Sequence, residues 1–310
     1  MKKMGIIRCG QTEDLCPGTV DLTRGCVIPS LRKSAGTLRL SSLHTERRIE
    51  HTIPIVDHKY HDRPSVFSAE GLLRESRRQK SVPAGKVPEI CLLDPDGDLS
   101  RHLLGNGARR NPYWACYHTE MVELTTSTST IGVVGCAVGA SFAVLVAEEM
   151  FASGCGLLLS VTSAGQLLSA GVPPYFVLID RALRDEGTSY HYLPPAPYAR
   201  IAPAVLAVAQ TALPDEWGVV QGGTWTTDAP FRETEEAISF ARQEGLLAVE
   251  MEAAALYAFA EAKDRPVICF AHVTNQMGTI ENDFEKGDAN GNKAMVDLAV
   301  RMAQVWRNRP

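Results

Sequence analysis

The tripeptide Glu250-Met251-Glu252 stands between an apolar run over 245–249 and an Ala-rich run over 253–262. The first reads as a short buried strand and the second as a helix of strong formers. Free N–H groups at a helix start favour a carboxylate, and the same carboxylate can accept hydrogen bonds from the vicinal hydroxyls of a sugar. One such acid has an ordinary reading as a helix cap. Two of them around a methionine, at a buried strand end, point further, to a ligand.

Other apolar runs end in residues of the same kind. Gly135 to Ser141 (GCAVGAS) closes one run and enters a helix; glycines such as Gly139 let backbone approach a ligand, and a helix start favours an anion. Ser160 to Gly165 (SVTSAG) supplies Ser163, Ala164 and Gly165 as a hydroxyl and a strip of backbone N–H groups. Thr226 to Arg232 (TTDAPFR) supplies Thr227 for hydrogen bonding, Phe231 for stacking and the cation of Arg232. Val273 to Gln276 (VTNQ) supplies the amide of Asn275 and, one residue before this stretch, His272. A histidine on a buried strand has its ordinary reading as a satisfied core residue. Together these ends offer a ring for a base, acids for sugar hydroxyls, amides for base edges, and hydroxyls with N–H groups for an anion. Upstream, LDPDGDLSR carries Asp94, Asp96, Asp98 and Arg101. The aspartates read either as a solvated turn or as a source of a general base. They lack the Gly-then-Glu spacing of a calcium loop.

Strands and helices must hold these ends together. Strands are expected over 87–93, 121–124, 130–134, 157–162, 175–179, 217–226, 245–249 and 267–274. Helices are expected over 141–152, 202–212, 233–244, 250–262 and 294–306. Such alternation means an α/β domain, with a mixed or mostly parallel sheet covered by helices on both faces. Ligands in such folds bind outside the carboxyl ends of the strands. Residues 1–85 show little periodic apolar pattern beyond one short strand near the start. They read as an irregular extension, with a catalytic domain over 86–310.

The 310 residues, 45% hydrophobic and 22% charged, have the composition of an ordinary soluble globular protein. No run is apolar enough to span a bilayer or to act as a signal peptide. Eight scattered cysteines form no CxxC pair, so neither a zinc site nor a disulfide framework is expected. A reducing, cytoplasmic location follows. Charge divides unevenly: 1–85 carry 15 Lys+Arg against 9 Asp+Glu, and 86–310 carry 16 against 27, giving +6 and −11 for the chain's −5. The basic excess, which includes Arg47-Arg48 and RESRRQK over 74–80, reads as a solvated tail or inter-subunit strap rather than a nucleic-acid surface.

The ordered series GxxVGxxxGAS, SVTSAGQ, DEGTSYHYLPP, TTDAPFRET, AVEMEAAALYA and VTNQ resembles the nucleoside phosphorylase family, of the uridine and purine phosphorylase type with its related nucleosidases. The resemblance runs from about residue 88 to 306. It implies a three-layer α/β/α fold around a central twisted mixed sheet. It also implies homo-oligomers of dimers built into trimers or hexamers, and cleavage of a nucleoside's N-glycosidic bond with phosphate or water as co-substrate and no metal or organic cofactor. Carried over, Glu252 holds the ribose hydroxyls, Met251 packs beneath the sugar and Glu250 supports the site. Phe231 or Pro230 stacks on the base and Arg232 reaches a carbonyl. Ser163, Ala164 and Gly165 form the strip touching phosphate and base. Asn275 stands where purine phosphorylases have an acid that protonates the leaving base; an amide can hydrogen-bond that base but not act as its acid.

Phosphorolytic members hold phosphate with two arginines. Here the first position falls near Asp98 and the second at Ser160. A carboxylate repels phosphate, so either Arg101, Arg109 or Arg110 restores the charge or the site takes water, with Asp94, Asp96 or Asp98 as its base. Phosphorolysis is the family default and hydrolysis the rival; a non-catalytic nucleoside- or nucleotide-binding protein is a third reading.

Overall fold

The computed structural model describes residues 53–214, 217–277 and 283–309. Arg47-Arg48, the strand expected near the start, and Cys9, Cys16 and Cys26 lie outside them. Residues 51–310 form one compact unit.

Among the described residues nine strands build one mixed sheet. In chain order they are β1 (Ile90–Asp94), β2 (Met121–Thr125), β3 (Thr130–Gly135), β4 (Leu157–Gln166), β5 (Tyr175–Asp185), β6 (Tyr198–Arg200), β7 (Val220–Thr227), β8 (Leu246–Glu250) and β9 (Val267–Asn275). β2 and β3 form an antiparallel hairpin, and β1 runs parallel to both β3 and β4. Beyond β4 the sheet curls. β4 pairs with β9, β9 with β5, β5 with β7 and β7 with β8, and the last residues of β4 pair back onto β8. Five strands thus close into a ring, a closure the strand pattern did not announce.

Among the described residues the α-helices are α1 (Ala69–Lys80), α2 (Asp98–Gly105), α3 (Ala140–Ala152), α4 (Pro203–Ala212), α5 (Glu235–Gln243), α6 (Ala253–Lys263) and α7 (Asn292–Arg307). α6 packs on α3 and on β5, β6, β7 and β9, with α1 against α3. α2 and α4 pack against α7. The sheet therefore lies between helical layers, as expected. Every residue from Ala253 to Phe259 is buried, which is why this helix is apolar all round rather than on one stripe. Its one polar atom in that stretch is satisfied: the Tyr257 hydroxyl donates to the Ile179 carbonyl at 2.6 Å and accepts from the Cys269 N–H at 3.1 Å. β1 and β9 are buried along their whole length, as strands covered on both faces must be. β9 thereby carries His272, Thr274 and Asn275 into the interior.

Two helices differ from the sequence expectation. α1 arises in the stretch read as irregular. Ser68 caps it, accepting from the Gly71 N–H at 3.2 Å, and Arg77, Arg78 and Lys80 stand in the last turn, where the dipole favours cations. Its inward face uses Ser76, which donates to the Ala115 carbonyl, beside Leu73, so apolar periodicity under-reports the burial. α2 begins within the aspartate loop. β4 and β5 also run further than expected, to Gln166 and Asp185, and a register shift between Ala164 and Gly165 sets Gly165 opposite Asn275. Among the described residues no helix is long and apolar enough to cross a membrane.

Candidate functional site

Glu250 ends β8 and Glu252 precedes the first turn of α6. Their side chains do different work. One Glu250 oxygen accepts from the Thr224 hydroxyl at 3.1 Å and from Thr226; the other accepts the N–H groups of Glu252 and Ala253, each at 2.7 Å. Glu250 is therefore the cap of α6 and fixes the backbone that carries Glu252. Glu252 reaches across the sheet ends. It accepts the Gly139 N–H at 2.7 Å and the Thr162 hydroxyl at 2.8 Å. Gly139, at φ 91°, heads α3, so the expected anion site at this helix start is already turned toward a carboxylate of the chain itself. Burial raises both carboxyls, and the nearby charge of Glu250 helps push Glu252 up to about 8.

The aspartate loop is a folded corner, not a solvated turn. Asp94 is 1% exposed and its carboxylate accepts the Ser100 N–H at 2.9 Å, capping α2 from the end of β1. Burial raises it to about 6. Gly97 turns the chain at φ 77°, where a Cβ would lie 2.4 Å from Cys136 Sγ. Asp96 accepts the Ser163 hydroxyl and, at 2.9 Å, the ammonium of Lys286. Asp98 accepts from Lys286 at 2.6 Å and from Arg101 at 2.8 Å. Burial alone would raise Asp98, but those two cations outweigh it and hold its carboxyl below the ordinary range. Lys286 is raised despite burial, because both aspartates hold its proton.

Lys286 is the residue the sequence reading missed. It lies between the aspartates and His272, in a stretch whose polar composition reads as loop. Together Asp94, Asp96, Asp98, Thr162, Ser163, His272 and Lys286 line a cavity of about 10 Å³, close to the space one water occupies. His272 stacks on Phe176 at 4.5 Å between ring centres. Burial and the charge of Lys286 lower it to about 4, so it is neutral at pH 7 and cannot stand in for the missing acid at Asn275. The three arginines that could restore a phosphate site each have a carboxylate partner here. Arg101 is committed to Asp98 and the Asp96 carbonyl, Arg109 to Glu123 at 3.6 Å and Arg110 to Glu120 at 2.8 Å.

Asn275 is buried. Its amide N–H group lies 3.4 Å from the Ala164 carbonyl and its oxygen accepts the Met277 N–H at 2.9 Å, which ties it to the Ser163-Ala164-Gly165 strip. Met251 is half-buried between the two glutamates. Thr227 is buried and accepts the Ala229 N–H at 3.2 Å. It leads into a short turn over Pro230–Arg232 where Phe231 is fully exposed and Arg232 also faces outward. Within this chain the strand ends around Glu252 and the aspartate corner are assembled, while the turn over Pro230–Arg232 stands open.

A similar fold recurs in solved structures. A uridine phosphorylase from Vibrio fischeri ES114, complexed with 6-hydroxy-1-naphthoic acid, superposes with a TM-score of 0.59 at 18% identity, over 72% of this chain and 93% of its own. An AMP nucleosidase from Bacteroides thetaiotaomicron VPI-5482 superposes with a TM-score of 0.60 at 17% identity, over 78% and 99%. At such identities the likeness concerns the fold. A comparison with curated protein sequences gave no match. The sequence itself matches the family model of the phosphorylase superfamily over residues 98–304, from the aspartate corner to the last helix. That span is more than half of the chain, so the chain belongs to the phosphorylase superfamily.

Proposed function

We propose that the protein cleaves the N-glycosidic bond of a ribo- or deoxyribonucleoside and transfers the pentose to water. The observation that carries this reading is the Asp96–Lys286–Asp98 cluster beside Ser163. A phosphate would need the cations and the hydroxyl that these carboxylates already occupy. The cavity there has room for about one water.

Glu252 takes the sugar hydroxyls, exchanging its bonds to Thr162 and Gly139 for them or sharing them. Phe231 and Arg232 face the base. As the bond lengthens the sugar gains positive charge, and Asn275 donates to the departing base without protonating it. That suits a leaving group stabilised by its own carbonyls. Asp96 is the base for water. Its Oδ2 takes both Ser163 and Lys286 and leaves Oδ1 open, whereas Asp98 gives one oxygen to each of two cations, which makes it a weak base, and Asp94 is 1% exposed and spends one oxygen capping α2. The step balances as attack of the water oxygen on the anomeric carbon, a proton passing to Asp96, and the bonding pair leaving with the base.

Phosphorolysis, the commoner family reaction, is favoured by one feature: Lys286 and Arg101 both stand at the corner and would bind phosphate if Asp98 turned away. A panel of purine and pyrimidine nucleosides, with and without phosphate, separates the two. Phosphate-independent release of base with free pentose supports hydrolysis. Pentose 1-phosphate as the product overturns it, and absence of turnover with tight binding favours a nucleoside-binding protein.

A further inference from the structure

A group of positive charges without carboxylate partners lies away from the aspartate corner. Residues 86–310 are acidic by 11 charges, yet Arg301, Arg307 and Arg309 gather at the end of α7, on a groove of about 790 Å³ lined by no carboxylate. The opposite wall is the last turns of α4 and the β2–β3 turn, with hydroxyls from Thr128, Ser129 and Thr211. None of the three arginines enters an ion pair among the described residues, in contrast to Arg101, Arg109 and Arg110.

Each does have a structural task, which is to satisfy a carbonyl. Arg301 donates to Ala212 at 3.3 Å, Arg307 to Thr128 at 2.8 Å and Arg309 to Trp306. One donor of each guanidinium is used in this way, out of five. Arg309 is further held by its position 3.9 Å over the Trp306 ring, so its fork is pre-set rather than free to swing. The C-terminal ends of two helices offset about one positive charge between them. Three guanidiniums leave a clear surplus. Ala207, Val208 and Val305 add an apolar floor, and the volume is that of a small-molecule site.

We propose that this groove binds a phosphorylated small molecule of nucleotide size, the phosphates on Arg307 and Arg309 and the organic part on the Val208–Val305 floor. It is a site separate from the sheet-end cavity.

Calorimetric titration of the full chain with ADP at physiological salt tests this, with pyrophosphate as the probe for the phosphate contacts alone. Saturable binding of ADP is expected, weakened at least about tenfold in Arg307→Ala/Arg309→Ala and unchanged in Glu252→Gln. Arg307→Lys, which keeps the charge and loses the planar fork, should fall between, and unaltered melting of these surface variants shows that they fold. Loss of ADP binding in Glu252→Gln but not in the arginine variants moves the ligand to the sheet-end cavity and overturns the proposal. So does absence of saturable binding, or an RNA oligonucleotide that binds through these arginines where ADP does not.

Discussion

Replacing Asp98 by Asn tests whether carboxylates keep phosphate out. Asp98 is bound to Lys286 at 2.6 Å and to Arg101 at 2.8 Å. An anion seated on Ser163 and Lys286 would approach its carboxylate to about 5 Å, two hydrogen-bond lengths around one ammonium. Two unit charges at that distance repel by about 3 kcal/mol at an effective dielectric of about 20. The side chains here are 21–32% exposed, and screening reduces the figure to about 1.5 kcal/mol, roughly tenfold in affinity. The amide keeps only one acceptor oxygen, so the substitution also frees either Lys286 or Arg101 from its bond to this side chain. Asp98→Asn should therefore turn phosphate from a bystander into an acceptor, with pentose 1-phosphate appearing and its yield rising with phosphate concentration. Product analysis by phosphorus NMR reads this directly. The wild-type chain should show free pentose under the same conditions. If wild type already makes pentose 1-phosphate, or if Asp98→Asn ignores phosphate while still releasing base, the exclusion argument is wrong.

Three further outcomes are expected. Glu252→Gln should abolish turnover and flatten the pH dependence of melting. The folded value of about 8 exceeds the ordinary carboxylate range, so the stability this group lends is complete below about pH 4 and is lost as pH rises through 8; wild-type Tm should fall between pH 5 and 9, and the fall should shrink in the variant. Glu250→Ala should destabilise by about 3–5 kcal/mol in chemical denaturation, because it strands two buried N–H groups at the start of α6; unaltered stability refutes its capping role. Phe231→Ala should change Tm very little, since the ring is fully exposed and such surface changes stay within about 0.5 kcal/mol. It should raise KM for nucleosides about tenfold if the ring stacks on the base, and an unchanged KM removes it from the site.

The layers and most strand positions were legible because their residues carry period and burial together. ICLL, VICFA and the alanines of α6 are apolar without interruption, which only a doubly covered strand or an enclosed helix tolerates. α1 was not legible, because Ser76 occupies an inward position that periodicity assigns to an apolar residue. α2 was masked by its aspartates. Their acidity and the intervening glycine signal a turn, whereas the fold uses Gly97 as the turn and Asp94 as the cap, and sends the chain on as helix.

The chemistry divides along the same line. Glu250 and Glu252 declare themselves because strand, acid and helix are contiguous; Glu250 turns back to cap its own helix, and Glu252 reaches across to Gly139 and Thr162. Lys286 has no such local signal. Its partners are 188 and 190 residues away, and they meet it only because β9 runs beside β4, so that the chain leaving β9 passes the end of β1. Read locally, an acid near the expected arginine position is a loss of positive charge. In the fold the charge has moved to another element and is neutralised there by the acid itself. A corner with a missing cation would be an impaired phosphate site. A corner where the chain supplies both cation and carboxylate, around room for one water, is what the proposed transfer to water requires.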